Sequence, residues 1–443
     1  MIDYQTIRRA SIYLRGVLAG LLEKQASDHY SFQYDSQYLH SSQPIPIACA
    51  FPLRAEPYPS KHLHPFFDNL ILEGWLLSYA EKVFHIDKKN RFGLLMVTGR
   101  STIGAVSIHE YPQEIGIEPE KTTSTRLETI EFPHQNGCCP SCLLPSPKSK
   151  VLHQRCAAEL FGTHRKLKIE LDAEQPLETF SKTVYGGSIS GAQRKGLFSL
   201  KPESGVIYPD PLGSQYILKP DGDHPELPAN EHLTMAIARK IGFKAPAFSL
   251  IRIPDFGFVY LTRRMDRLGG TSRRMEDMAQ ILGELSEDKY ESSHEKVAQA
   301  IRQHASAPLL DLNDYFRRLI YCFLIANADM HLKNWSLLEK VALNGEMDLS
   351  PCYDLLNTRL VIPSERLDIG LTFLGKKRNL QRSYFTQFAQ DVLKLNPKFI
   401  EKTFDAIPSW LGTIETLCAR SYLSEKLKKQ YIKIARERFE TLY

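Results

Sequence analysis

The sequence predicts an α+β protein built as two lobes behind a small α/β unit. Two observations carry this. Five strand-like segments crowd between Leu167 and Thr262, and amphipathic helical stretches fill the chain after Arg264. A third, a Pro/Ser/Thr/Glu-rich passage at 111–165, sets the front unit apart. At about 150 residues per domain, 443 residues allow two or three such pieces.

In residues 1–110, Ser11–Leu22 and Tyr30–Tyr34 alternate apolar and polar side chains as strands do, and Cys49–Leu53 runs into a bend. Leu70, Leu72, Trp75, Leu76 and Tyr79 give Phe66–Val83 the spacing of one helix. Phe92–Val97 and Gly104–Ile108 are apolar and glycine-punctuated. Residues 111–165 read as a connector. The first lobe (166–263) holds strands at Leu167–Leu171, Gly196–Leu200, Gln215–Lys219, Phe248–Ile253 and Gly257–Thr262. One helix interrupts them over Asn230–Ile241, where Leu233, Ile237 and Ile241 share a face and Gly242 is the stop. The second lobe (264–443) is expected to be all-helical. Leu312, Phe316, Leu319, Ile320, Phe323 and Leu324 form its strongest stripe, followed by Phe385–Leu395, Pro397–Ile407 and Ser424–Leu442.

Composition excludes several classes. Hydrophobic residues are 43% and charged residues 24%, ordinary globular usage, so whole-chain disorder, collagen and coiled coil are ruled out. A net charge of +5 is too mild to argue for nucleic acid or an anionic membrane. The N-terminus lacks the apolar h-region of a signal peptide, and no apolar run nears the roughly 20 residues of a bilayer span, so a cytoplasmic protein without membrane contact is expected.

The strongest chemical motif is Asn327–Asn334 (N-A-D-M-H-L-K-N), after an apolar helix. Four residues separate Asp329 from Asn334, the spacing by which kinase catalytic loops place a proton acceptor and a metal-holding amide. His331 and Lys333 lie between them, able to meet phosphate charge. Asp354 follows a predicted hairpin (Trp335–Leu338, Met347–Leu349), where a second Mg²⁺ ligand sits in kinases. Lys219 ends a strand, and Glu231 on the next helix is placed to pair with it. Gly186–Lys195 (G-G-S-I-S-G-A-Q-R-K) offers small residues that let backbone N–H groups approach phosphate, though it is no Walker A motif. Each feature has an ordinary alternative: a polar turn, a turn-forming aspartate, a strand-edge lysine, a surface loop. Their kinase order raises the joint reading above any one of them and makes the lobes a protein-kinase-like pair.

These segments resemble the HipA-like serine/threonine kinase family, the toxins of toxin–antitoxin systems. Ser188–Lys195 is similar to its S-x-x-G-A-Q-x-K loop; Tyr216–Pro220, Asn230-Glu231, Arg264–Arg267, Glu276-Asp277 with Gln280, Asn327–Leu338 and Tyr353–Leu356 follow in its order. Phe51–Arg54, Pro65–Trp75 and Phe92–Ile108 resemble its N-terminal subdomain, which other systems encode separately, as HipS beside a HipT kinase. The resemblance implies Asp329 as catalytic base and Asn334 and Asp354 as Mg²⁺ ligands. It places Ser190, Gly191, Ala192, Gln193, Arg194, Lys195, Lys219, His331, Lys333 and Tyr353 around ATP, and Arg263, Arg264 and Met265 at the adenine hinge. It implies self-silencing phosphorylation at Ser188 or Ser190, an aminoacyl-tRNA synthetase as substrate, and a HipB-like antitoxin through which DNA is met only indirectly. Arg263 and Met265 stand where the family carries an acidic and an aromatic residue. The other reading is a weakly active, cis-inhibited scaffold or co-repressor.

Four of the eight cysteines cluster. Cys139-x2-Cys142 and His153-x2-Cys156 give soft ligands at spacings that suit tetrahedral zinc, against the alternative of four reduced thiols. The segment lacks the interleaved basic and aromatic residues of a nucleic-acid knuckle.

Overall fold

The computed structural model describes residues 4–25, 29–111, 124–134, 137–147, 151–162, 166–181, 183, 193–222, 224, 226–341 and 343–443, the side chains of Trp75 and Leu76 excepted. Ser188, Ser190, Gly191 and Ala192 lie outside these residues.

The N-terminal unit is an antiparallel sheet of β1 (Arg9–Leu14), β2 (Val17–Lys24), β3 (Tyr30–Tyr34), β4 (Tyr58–Ser60) and β5 (Val106–Glu110), ordered β4-β3-β2-β1-β5. Arg15 and Gly16, both at positive φ, close the two-residue β1–β2 hairpin, matching the right-handed twist of its strands. Ala10, Ile12 and Leu14 alternate into the core with Tyr30, Phe32 and Tyr34. Four helices cover that face: α1 (Ser36–Leu39), α2 (Pro65–Asp68), α3 (Gly74–Phe84) and α4 (Arg91–Thr98). The single helix expected over Phe66–Val83 is therefore two. Leu70, Ile71 and Leu72 are all buried, which consecutive residues of a surface helix cannot be. Asn69 instead donates to Pro65 O and, across the molecule, to Glu284 O, both at 2.9 Å. In α4 every residue from Phe92 to Thr98 is buried, so no periodicity marked it.

The first lobe is a seven-stranded sheet: β6 (Thr125–Thr129), β7 (Lys168–Asp172), β8 (Gly196–Lys201), β9 (Val206–Pro209), β10 (Tyr216–Pro220), β11 (Phe248–Ile253) and β12 (Gly257–Arg263). Its order is β11-β12-β10-β8-β9-β7-β6. The passage read as a connector supplies the edge strand β6 and helix α5 (Gln154–Phe161). Helix α6 (Glu178–Ser181) precedes β8, and α7 (Leu227–Lys240) lies between β10 and β11. Leu233, Met235, Ala236 and Ile237 of α7 belong to the same apolar cluster as the second lobe, so α7 seals the two lobes together.

The second lobe is mainly helical: α8 (Met278–Leu282), α9 (His294–His304), α10 (Pro308–Leu324), α11 (Thr358–Val361), α12 (Arg382–Gln387), α13 (Pro397–Arg420) and α14 (Glu425–Leu442). It also carries the short pair β13 (Arg267–Leu268) and β14 (Thr271–Ser272), and a three-stranded sheet of β15 (Met275–Asp277), β16 (Ser336–Glu339) and β17 (Met347–Leu349). The β16–β17 hairpin is the one the sequence predicts before Asp354; only β15 joins from a distance. The whole α10 stripe is buried. Trp335 packs edge-on to Tyr315 of α10, ring centroids 4.7 Å apart, and so anchors the segment that ends at Asn334. Truncating such a buried indole costs about 3–5 kcal/mol.

Candidate active site

A cavity of about 720 Å³ opens where the two lobes and the N-terminal unit meet. Lys195, Lys219, Glu231, Asp329, Asn334 and Asp354 all line it, from five segments of the chain.

On the first-lobe side, β10 and α7 each contribute one charge. Lys219 Nζ sits 2.7 Å from Glu231 Oε1 and also pairs with Asp354. Burial pulls the Lys219 ammonium down, but Asp354 and Glu231 outweigh it and the net shift is upward. Burial pushes Asp354 up; Lys219 and Lys195 reverse that and hold it at about 2. Burial wins at Glu231, raised to about 7, since it shares Lys219 with a second carboxylate. Lys195 is buried and lowered to about 8. Asp354 adopts a left-handed backbone (φ 53°), uncommon outside glycine and tolerated by aspartate. Asn230 fixes the segment after it: its side chain donates to Asn357 O at 2.9 Å and accepts from Asn357 N at 3.0 Å.

The Asn327–Asn334 loop leaves α10 through Ala326, also left-handed (φ 52°). Asn334 Nδ2 donates to Asp329 O at 2.7 Å, which turns the amide oxygen the other way. Burial raises the Asp329 carboxyl, opposed by a hydrogen bond from the Tyr290 hydroxyl. His331 stacks edge-on against Tyr290 at 4.9 Å and is held neutral, lowered to about 3, by burial. Gly370 passes so close that an added Cβ would lie 2.9 Å from the backbone oxygens of Ala328 and Met330. The Tyr353 hydroxyl donates to Lys333 O at 2.9 Å and meets Ser336, holding the loop from below.

Some expected contacts go elsewhere. Lys333 lines the cavity, but its ammonium is bound to Glu73 of the N-terminal unit (2.7 Å) and to Asn69 O (3.1 Å). Arg263, Arg264 and Met265 line the cavity, but the guanidinium groups of both arginines are bonded to other segments of the chain. Arg263 Nη1 donates to Glu159 O at 3.0 Å, and buried Arg264 bonds Asp266, Ser214 and Thr102 O. Arginine needs several acceptors once buried, and Asp266 supplies them. Glu276-Asp277 and Gln280 fasten the N-terminal unit: Glu276 accepts from Cys49 N (2.8 Å), Gln280 donates to Phe66 O (3.0 Å), and Asp277 with Gln280 forms the capping box of α8.

Sequence reasoning missed Lys289 and Tyr290, which line the cavity and fall in a polar stretch without periodicity. It also missed Glu73, which pairs with the lining residues Lys289 and Lys333 and sits inside a matched motif with nothing to mark its partners. Away from the cavity, Cys139, Cys142, His153 and Cys156 come together, their ligand atoms all within 4.8 Å of one another. Among the described residues, no helix is long and apolar enough to cross a membrane.

Residues 187–411 match the HipA-like C-terminal domain, and residues 10–109 match the HipA N-terminal domain. A Sinorhizobium fredii protein described as a candidate kinase, Y4dM, is 26% identical over 313 residues, covering 68% of this chain and 64% of its own length, just under two thirds. A Haemophilus influenzae candidate kinase is 28% identical over 340 residues, covering 69% of this chain and 97% of its own. A HipA chain solved with HipB and operator DNA from Shewanella oneidensis MR-1 superposes with a TM-score of 0.70 at 18% identity, covering 98% of this chain and 97% of that one. That likeness establishes the two-lobed, kinase-like fold. With its C-terminal domain alone spanning more than half of the residues, the chain belongs to the HipA-like kinase family.

Proposed function

We propose that this protein is an ATP-dependent serine/threonine protein kinase, the toxin of a toxin–antitoxin pair. One observation carries the reading: Lys219 and Glu231 of the first lobe meet Asp354 of the second, and Asp329 and Asn334 face the same cavity. Asp329 takes the proton from the attacking hydroxyl as its oxygen bonds to the γ-phosphorus and the bond to the β-phosphate breaks, releasing ADP. Its upward-shifted carboxyl is the better base for it. Lys219 and Lys195 meet phosphate charge. The Asp354 carboxylate and the Asn334 amide oxygen are the hard donors Mg²⁺ prefers, and the metal, when bound, neutralises charge on the phosphates. The substrate in this reading is an aminoacyl-tRNA synthetase, phosphorylation of Ser188 or Ser190 silences the enzyme, and a HipB-like protein is the antitoxin.

The test is incubation of the purified chain with ATP and Mg²⁺, followed by mass spectrometry. Phosphate should appear at Ser188 or Ser190. Asp329→Asn should slow its appearance by about 10²–10⁴-fold; unchanged phosphorylation would remove Asp329 from the base role.

A second reading is favoured by the Glu73 contacts. The N-terminal unit holds Lys333 and Lys289 away from incoming phosphate and so restrains the kinase in cis. Under it, Glu73→Ala speeds autophosphorylation.

A further inference from the structure

The Cys139, Cys142, His153 and Cys156 cluster lies behind the cleft, and no step above uses it. Its ligand atoms are within 4.8 Å of one another, and Cys142 Sγ is 3.2 Å from His153 Nδ1. A tetrahedral zinc ion with Zn–S near 2.3 Å holds its sulfurs about 3.8 Å apart, so the four need only sub-ångström adjustment. Cys139 and Cys156 are buried, while Cys142 and His153 are partly open, which leaves an entry path.

Two features independent of the cluster aim it. His153 Nε2 is 2.9 Å from Pro145 O, so that nitrogen carries the proton and the Nδ1 lone pair faces the thiols. A metal-bound histidine ordinarily has such a carbonyl behind it. The C-x2-C half is a closed turn: Cys139 N donates to Leu144 O and Leu143 N to Cys139 O, both at 2.9 Å, with Leu143 left-handed at φ 58°. The other half is the start of α5, with His153 as its N-cap and Cys156 in its first turn. The helix N-terminus there faces the negative charge that three thiolates and one histidine leave around Zn²⁺.

The cluster also joins parts that matter to the cleft. Pro140 O accepts from Leu250 N (2.9 Å) and Ser249 Oγ (3.1 Å) of β11. Glu159 at the far end of α5 pairs with Arg239 of α7, and its carbonyl accepts from Arg263.

We propose that Cys139, Cys142, His153 and Cys156 bind one structural Zn²⁺, which pins α5 and the Cys139–Leu144 turn against β11 and α7 behind the cavity. The full chain, expressed in zinc-supplemented medium and purified without chelator, should carry one equivalent of zinc by elemental mass spectrometry. Cys142→Ser and Cys156→Ser should each lose most of it, and His153→Cys, which swaps one accepted ligand for another, should keep it. Should the serine variants fail to fold, Co²⁺ exchanged into the wild-type chain serves instead, giving tetrahedral d–d bands and sulfur-to-metal charge transfer. Removing zinc from the folded wild type should lower its melting temperature. A chain holding less than a tenth of an equivalent, with Cys139, Cys142 and Cys156 all open to a thiol reagent, overturns the site, as does zinc that both serine variants retain. An unchanged melting temperature after removal overturns the pin. None of these readouts involves ATP, so the kinase reading stands or falls separately.

Discussion

Two lysine–carboxylate clusters flank the cavity, with opposite outcomes from similar burial. Within the kinase lobes, Lys219 sits between two carboxylates, and Glu231 is driven up to about 7. At the seam with the N-terminal unit, Glu73 sits between two lysines, 2.7 Å from each. Burial raises the Glu73 carboxyl too, but Lys333 and Lys289 overwhelm it and hold it far below its usual value. A low-dielectric site magnifies whichever ratio of charges it encloses. The first cluster thus pairs a firmly charged Lys219 and Asp354 with a readily protonated Glu231, whereas the second is a locked ion triad that spans two structural units.

The largest expected difference is in phosphoryl transfer. Lys219→Met should cut autophosphorylation about 10²–10³-fold, the usual effect of losing one preorganised charge at a transition state. Glu73→Gln should not cut it; the comparison breaks if both variants lose activity alike in a single-turnover assay.

Next is stability. Glu73→Gln removes the carboxylate that Lys289 and Lys333 share and should cost about 3 kcal/mol in denaturant unfolding. The cost should depend on pH. A carboxyl depressed in the folded state contributes its stability above its unfolded value of 4.5 and loses it as pH falls below that, so wild type and variant should converge in acid.

Glu231 should behave in the reverse sense. Its folded value of about 7 exceeds 4.5, so its contribution is present below pH 4.5 and is lost as pH rises through about 7. Glu231→Gln removes this slope and should gain on wild type, on the order of 2 kcal/mol, between pH 5 and pH 8. Parallel stability curves would mean the carboxyl is not raised.

The smallest effect is at Tyr290. Its hydroxyl lowers the Asp329 carboxyl, so Tyr290→Phe should move the acid limb of the transfer rate to higher pH while leaving the melting temperature nearly unchanged. An unmoved limb would mean that the hydrogen bond is absent in the working enzyme.

Much of the cleft was legible because its chemistry fixes local spacing. In the proposed reading, a proton acceptor and a metal ligand share one tight loop, and the four-residue gap of Asp329 and Asn334 serves it. A strand lysine and the glutamate one helical turn into α7 also lie close in sequence, twelve residues apart, and the structure joins them at 2.7 Å. The Cys/His cluster was legible for the same reason. The split of Phe66–Val83 was not, because Asn69 and the buried Leu70–Leu72 answer to distant partners. Nor were the true partners of Arg264 and Lys333: Thr102 and Glu73 lie 162 and 260 residues away, and no spacing encodes such a pairing.

The sequence by itself therefore determined most strands and helices of the two lobes, the short-range groupings of residues that line the cavity, and the family. Periodicity and short motifs are properties of neighbours along the chain. Only the tertiary structure decided which charges share a partner, and hence which carboxyl is raised and which is held down. It alone gave Arg263 and Arg264 their partners on distant segments and brought Glu73 to the Asn327–Asn334 loop, because desolvation and Coulomb energy depend on distance through space.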